Sequence, residues 1–511
     1  MYRIVASGWS VLLFGILAAN ASAAAELAAL RAAANSITSD ELKSHVDILA
    51  DDSFEGREAG TRGGYAAGGY LVKQLQSRSL KPAGENGTYF QSFGRGYRNV
   101  LGLLEGSDPD LKQEVIVVAA HYDHVGYGSR SNSYGPWGYI HNGADDNASG
   151  ISGLLETIDA LLAMKLAPRR SVLFAFFDGE EKGLLGSKQW VADPSLALRR
   201  VVFMINVDMI GRMQNDRVEV FGSRSARGLR RLLSESNVLT SLKLDFNWEM
   251  KENSDHYSFY AQRIPTLMMH TGLHSDYHRP SDDANRINVP GMQHAAQLLF
   301  ATTYELATRA ELSSFRAESF NEYPGLKESL EQPLPHAQPR LGVIWKKEES
   351  AQGGLVVEEV TPNSPAQRAG LRTGDRLVRF ANKPVSDPQE FRSDVFLAQS
   401  PVAISLERQG VEKPVDLQIQ LAGSPTRIGI SWREDTAEPG AVILTQVIFG
   451  SPAQLAGLTN RDRLYAVGGQ SFRSSNELHK LLTTLPSPVE LLVERDGRLR
   501  NVSLVLPSTG L

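Results

Sequence analysis

The sequence predicts an α/β domain, built on a mixed, mostly parallel sheet with helices on both faces, followed by two small β-rich domains. Three observations predict it. Apolar runs of strand length alternate with helical patterns through the first 312 residues. Several of those runs, such as SVLFAFF and VVFMINV, are continuously apolar, as strands covered on both faces are. The last third of the chain repeats itself at a fixed spacing. A length of 511 residues, at about 150 residues per domain, agrees with two to four folded units.

Residues 1–23 carry Arg3, an apolar stretch from Trp9 to Ala19, and Ala21-Ser22-Ala23, the pattern of a secretory signal cut after Ala23. The stretch is shorter than the ~20 residues of a membrane span, so the expectation is an exported protein, periplasmic or secreted from a bacterium, with no stable membrane insertion after cleavage. From about 26 to 80 the chain reads as helices. Strands at NVLGLLEG, EVIVVAAHYD, SVLFAFFDGE, RVVFMINVDMIG, RVEVFG and IPTLMMH then alternate with helices at SGISGLLETIDALLAMK, GLLGSKQWVA, RGLRRLLSES and GMQHAAQLLFATTYEL. This first domain is expected over 24–312. Residues 313–338 are polar and contain proline, which reads as a linker. Beyond them RLGV at Arg340 recurs as RIGI at Arg427, and NSPAQRAGLRTGDRL at Asn363 recurs as GSPAQLAGLTNRDRL at Gly450, both offset by 87 residues. Two domains are expected, over 339–423 and 424–511.

Charge and composition narrow the function. The net charge is −5 with no long basic run, which argues against nucleic acid or an anionic membrane as the main partner. There is no cysteine, so a metal must be held by histidine and carboxylates.

Those residue types cluster where strands end. His121 closes an apolar run, and Asp123 lies two residues on, placed to orient the imidazole from behind a metal. Asp145-Asp146-Asn147 precedes a helix; Asn147 or Ser149 serves as a cap, and a carboxylate with two oxygens in such a turn bridges two cations. Glu180 and Glu181 follow a buried strand. One suits a metal, and its neighbour suits a general base for a metal-activated water. Asp208 ends an apolar run, where a carboxylate needs a cation. Among His270, His274 and His278, the last is favoured because it opens a turn with Asp282 close by.

In this order the blocks VAAHYDHVG, GADDNASG, FFDGEEKGLLGS, NVDMIGR, SDHYSF and YHRPSDD resemble peptidase family M28, over roughly residues 35 to 310. The resemblance implies a zinc-exopeptidase fold and two Zn2+ per chain. His121 and Asp208 would hold one ion, Glu181 and His278 the other, Asp145 would bridge them, and Glu180 would be the base. It also implies a cis peptide at Asp145-Asp146, Tyr277 steadying the oxyanion, and Asp255 and His256 lining the substrate pocket. The substrates implied are peptides with a free N-terminus. The repeats resemble PDZ domains, with Leu341-Gly342 and Ile428-Gly429 as the loops that hold the C-terminal carboxylate of a peptide ligand. Two rival readings are a single-zinc, glutaminyl-cyclase-like aminoacyltransferase and an inert peptide-binding scaffold. The complete donor set counts against both.

Overall fold

The computed structural model describes residues 24–164, 166–335, 338–346 and 353–506. The expected signal segment, 1–23, lies outside the described residues.

The first unit is built on a nine-stranded sheet ordered β1-β3-β5-β4-β6-β9-β7-β8, with β2 paired to β3. Its strands are β1 (Lys81–Pro82), β2 (Phe90–Phe93), β3 (Tyr97–Leu104), β4 (Val115–His121), β5 (Ser171–Phe177), β6 (Val201–Val207), β7 (Arg217–Phe221), β8 (Lys243–Asn247) and β9 (Thr266–His270). The central strands β5, β4, β6 and β9 pair in parallel, as do β7 and β8, while β3 and β7 join that centre antiparallel. The antiparallel flanks and the strands β1, β2 and β8 go beyond the expected alternation. They are too short or too polar to stand out as apolar runs.

Strands β4 and β5 are buried along their whole lengths. Side chains alternate across a strand, so Ile116, Val118 and Ala120 enter one core with Phe174 and Phe176, while Val115, Val117 and Ala119 enter another with Leu173, Ala175, Phe177 and Trp190. The first core is covered by the helices Ser39–Leu49, Gly150–Ala163 and Val289–Thr308, the second by Leu185–Ala192 and His256–Ala261. Two covered faces explain the continuous apolar runs. Because β4, β5, β6 and β9 share one direction, their carboxyl ends, at His121, Phe177, Val207 and His270, open on one edge of the sheet.

The segment 313–338 is not a bare linker. Phe315 bridges to Ala226, and Glu322 receives two guanidiniums, so the first unit runs to Pro324 rather than Leu312. A helix follows over Pro324–Glu331, and Arg433 donates to its Ser329 and Leu330 carbonyls while Glu331 pairs with Arg463.

The second unit holds both repeats. Its sheets are β10 (Val343–Trp345), β11 (Leu355–Val360), β12 (Arg376–Phe380), β13 (Lys383–Pro384), β14 (Val402–Glu407) and β15 (Val415–Ile419), then β16 (Ile430–Glu434), β17 (Val442–Val447), β18 (Arg463–Val467), β19 (Val489–Arg495) and β20 (Arg498–Leu504). The 87-residue offset survives in three dimensions. Strands β11 and β17, helices at Pro365 and Pro452, and helices at Pro388 and Ser475 all begin at that spacing. Gly342 and Gly429 share a positive φ of 85° and 83°, and a Cβ on either would meet the Cβ of Ser364 or Ser451 at 2.2 Å. The tight loop therefore demands glycine in both copies.

Candidate metal centre

The segments that follow β4, β5, β6 and β9, together with the turn before the helix Gly150–Ala163, carry the donors to the sheet edge. β4 ends at His121, whose Nδ1 donates to the main-chain carbonyl of Asp123 at 3.1 Å. That bond fixes the tautomer and turns Nε2 toward Asp146 Oδ1 and Asp208 Oδ1, each 3.3 Å away. A nitrogen lone pair facing two carboxylate oxygens is repulsive unless a cation lies between them. A proton answers the need in the absence of metal: burial disfavours the imidazolium, but Glu180 and Asp208 outweigh it and raise the His121 pKa well above its usual value.

The turn before the helix Gly150–Ala163 carries the aspartates. Asp146, not Asp145, stands between the histidines, with Oδ1 at His121 and Oδ2 3.1 Å from His278 Nε2. Asp145 points away, accepting from Gly211 N (2.6 Å) and Ser149 Oγ (2.9 Å), with His274 Nε2 3.1 Å from its other oxygen. The cis peptide is Asp146-Asn147 rather than Asp145-Asp146. Asn147 caps the helix, its Oδ1 accepting from Gly150 N at 3.0 Å. Asp282 receives the main-chain N–H groups of Asp145 and Asp146 at 3.1 Å, so it anchors the turn that presents Asp146 rather than assisting His278.

A further turn follows β5. Asp123 accepts the N–H of Glu180 at 3.0 Å and of Glu181 at 3.4 Å, so its carboxylate holds the glutamate pair while its carbonyl holds His121. Glu181 Oε2 is 3.2 Å from His278 Nε2. Glu180 groups instead with His121 and Asp208, their donor atoms all within 4.8 Å of one another. Burial, reinforced by Glu181, Asp208 and Asp255, pushes the Glu180 pKa well up despite His121. Asp208 is steadied by Ser254 Oγ at 2.7 Å.

Tyr277 stacks on His278 with ring centroids 3.9 Å apart; burial and the site carboxylates raise its phenol pKa. Asp255 and His256 do not line an open pocket: both are fully buried. Burial raises the Asp255 pKa to about 6 and lowers that of His256 to about 4.

Two residues escape the sequence reading. His124 is buried with Nδ1 2.9 Å from Glu181 Oε1 and 3.6 Å from Asp146 Oδ2. Its signal was the second histidine of HYDH, but beyond the strand end at His121 a period of two no longer gives direction. Arg57, also fully buried, donates to the carbonyls of Tyr122, Leu49, Asn142 and Gly143, tying the β4 turn to the aspartate turn. Burial lowers its pKa to about 10, so it remains charged near neutral pH. No local pattern marks such a residue.

The donors fit divalent metal: imidazole nitrogens and carboxylate oxygens converge at 2.9–3.6 Å, near the ~3.3 Å edge of a tetrahedron with zinc bonds of about 2.0–2.1 Å. Residues 99–303 match the profile of peptidase family M28, and residues 356–395 and 443–495 match that of the PDZ domain. The chain carries an M28 peptidase domain followed by PDZ domains. Among relatives, it is 30% identical over 155 residues to the periplasmic serine endoprotease DegP of Salmonella typhimurium, covering 28% of this chain and 33% of DegP. It is 28% identical over 208 residues to a probable leucine aminopeptidase of Arthroderma benhamiae, covering 39% and 56%. Among solved structures, the LapA aminopeptidase of Legionella pneumophila aligns over 55% of this chain and 74% of its own, with 22% identity and a TM-score of 0.46. The chain thus spans a third to just over half of these curated relatives. No helix among the described residues is long and apolar enough to cross a membrane.

Proposed function

We propose that the M28 domain is a two-zinc aminopeptidase that releases N-terminal residues from peptides. The observation that carries this reading is the split carboxylate of Asp146, which gives one oxygen to the His121 and Asp208 group and the other to the Glu181 and His278 group. The zinc pair, when bound, supplies Lewis-acid polarisation of the scissile carbonyl and a water of lowered pKa. Asp146, His121 and Asp208 would hold one ion, and Asp146, Glu181 and His278 the other. Glu180, placed by Asp123, accepts the water proton and returns it to the leaving amine; its raised pKa suits a group that must do both. Tyr277 steadies charge on the carbonyl oxygen, and the carboxylates attract the substrate α-ammonium. The names of the aminopeptidase relatives agree with this reading. It is tested by metal analysis together with aminoacyl-anilides: two ions per chain and hydrolysis that N-acetylation abolishes are expected. One tightly held ion, with cyclisation of N-terminal glutamine and no hydrolysis, would favour the transferase instead.

The first PDZ repeat serves as a docking site for peptide C-termini. It has a groove of about 350 Å³ lined by Leu341, Gly342, Ile344, Trp345 and Phe391. In the second, Trp432 Nε1 donates to Ser475 Oγ at 3.1 Å, joining the strand and helix that flank the corresponding groove. Peptide binding is therefore assigned to the first repeat. Residues 1–23 support export, in keeping with the periplasmic relative. N-terminal sequencing of exported protein should begin at Ala24.

A further inference from the structure

We infer that His124 is a metal ligand, and that it divides the centre into a closed four-donor site and an open three-donor site. This rests on the two-zinc reading. The closed set is His124 Nδ1, Asp146 Oδ2, Glu181 and His278 Nε2; the open set is His121 Nε2, Asp146 Oδ1 and Asp208 Oδ1, with Glu180 beside it.

Geometry carries the assignment. His124 Nδ1 lies 2.9 Å from Glu181 Oε1 and 3.6 Å from Asp146 Oδ2, while His278 Nε2 lies 3.1 Å from Asp146 Oδ2 and 3.2 Å from Glu181 Oε2. These separations bracket the ~3.3 Å edge of a tetrahedron of zinc ligands. The imidazole cannot turn elsewhere. It is fully buried, its Nε2 has no hydrogen-bond partner, and its ring is edge-on to His278 at 5.5 Å. Gly143 leaves the room it occupies, since a Cβ there would meet the ring carbon Cδ2 at 2.5 Å.

Four protein donors saturate a tetrahedral ion, as structural zinc sites do, whereas three leave a position for water or substrate, as catalytic sites do. The closed site therefore holds its ion more tightly. The open site, with Glu180 at its side, is where water and the scissile carbonyl meet.

The test uses metal-free full-length protein titrated with Co2+ and Zn2+ against a competing chelator. Wild type should bind two ions in two affinity classes. Asp208→Ala should lose the weak class and keep the tight one, and His124→Ala should weaken the tight class by about 100-fold or more, beyond the ~10–100-fold typical of residues that only orient a ligand. His124→Cys gives a direct readout. The chain has no cysteine, so a thiolate-to-cobalt charge-transfer band can arise only from residue 124. Thermal unfolding of the metal-free variants checks that they fold. A tight class unchanged in His124→Ala, or a cobalt-loaded His124→Cys without the band, overturns the assignment. Fewer than two ions in wild type would overturn the two-zinc reading itself.

Discussion

On the proposed reading Asp146 serves both ions, which concentrates the centre's dependence on one side chain. Asp146→Ala should therefore abolish binding of both ions, measured by metal analysis after dialysis. Asp145→Asn should keep both at affinities lowered about 10–100-fold, because Asp145 acts through Ser149, Gly211 and His274. The opposite pattern would restore the bridging role to Asp145. Glu180→Gln should retain metal and lose about 10²–10⁴-fold in kcat, the usual contribution of a positioned acid–base group. Metal stripped by Glu180→Gln but not by Glu181→Gln would reverse their roles. The sequence made the residue types of this centre legible, since histidine and carboxylates at the ends of apolar runs have few other uses. It left the choice within adjacent pairs open. Whether Asp145 or Asp146 faces the ions depends on backbone torsions in a tight turn, to which neither hydrophobic periodicity nor side-chain chemistry speaks.

At the scale of elements, apolar runs were reliable guides because burial on both faces leaves a continuous signal. β4, β5, β6 and β9 lie where VIVVAAH, SVLFAFF, VVFMINV and TLMMH stand. Polar segments were less legible. The sequence FRAESFNEY reads as linker, yet Phe315 and Phe320 pack on Tyr260, and Glu322 is held by both Arg224 and Arg316 at 2.6–2.8 Å. Charged residues look solvent-facing until they find bidentate partners. Burial alone would raise the Glu322 pKa, but the two guanidiniums outweigh it and hold it at about 2. A carboxylate whose folded pKa is depressed contributes stability above its unfolded value and loses it as pH falls through the folded one. The contribution, about 2 kcal/mol after allowance for partial exposure, should be complete above about pH 5 and gone near pH 2. In denaturant titrations at pH 7, Glu322→Gln should lower stability by at least that amount, because Arg224 and Arg316 lose their shared anion. The difference from wild type should shrink toward pH 2. A pH-independent difference would mean that packing, not the ion pair, holds the segment.

At the scale of the molecule, a candidate metal centre with its own two cores stands in one unit and a pair of PDZ folds in another. A docking module raises the effective concentration of a long substrate without changing the chemistry, which small substrates cannot sense. Protein ending at Pro324 should hydrolyse aminoacyl-anilides with kcat/KM close to that of the full chain and act less well on long peptides. Where the cut falls matters: a chain ending at Ser313 lacks Phe315, Arg316, Phe320 and Glu322, which pack on the first unit, and should unfold at a lower temperature with zinc present. Within the full chain, Gly342→Val should remove C-terminal peptide binding measured by fluorescence anisotropy, since a side chain there collides with Ser364 and displaces the carboxylate loop. Gly429→Val should leave that binding intact, because the second groove is bridged by Trp432 and Ser475. If Gly342→Val spared long-peptide hydrolysis while truncation at Pro324 abolished it, the tail would act by something other than the first groove. If truncation at Pro324 removed activity on anilides from folded, zinc-loaded protein, the repeats would be part of the catalytic apparatus, and recruitment would be the wrong account of them.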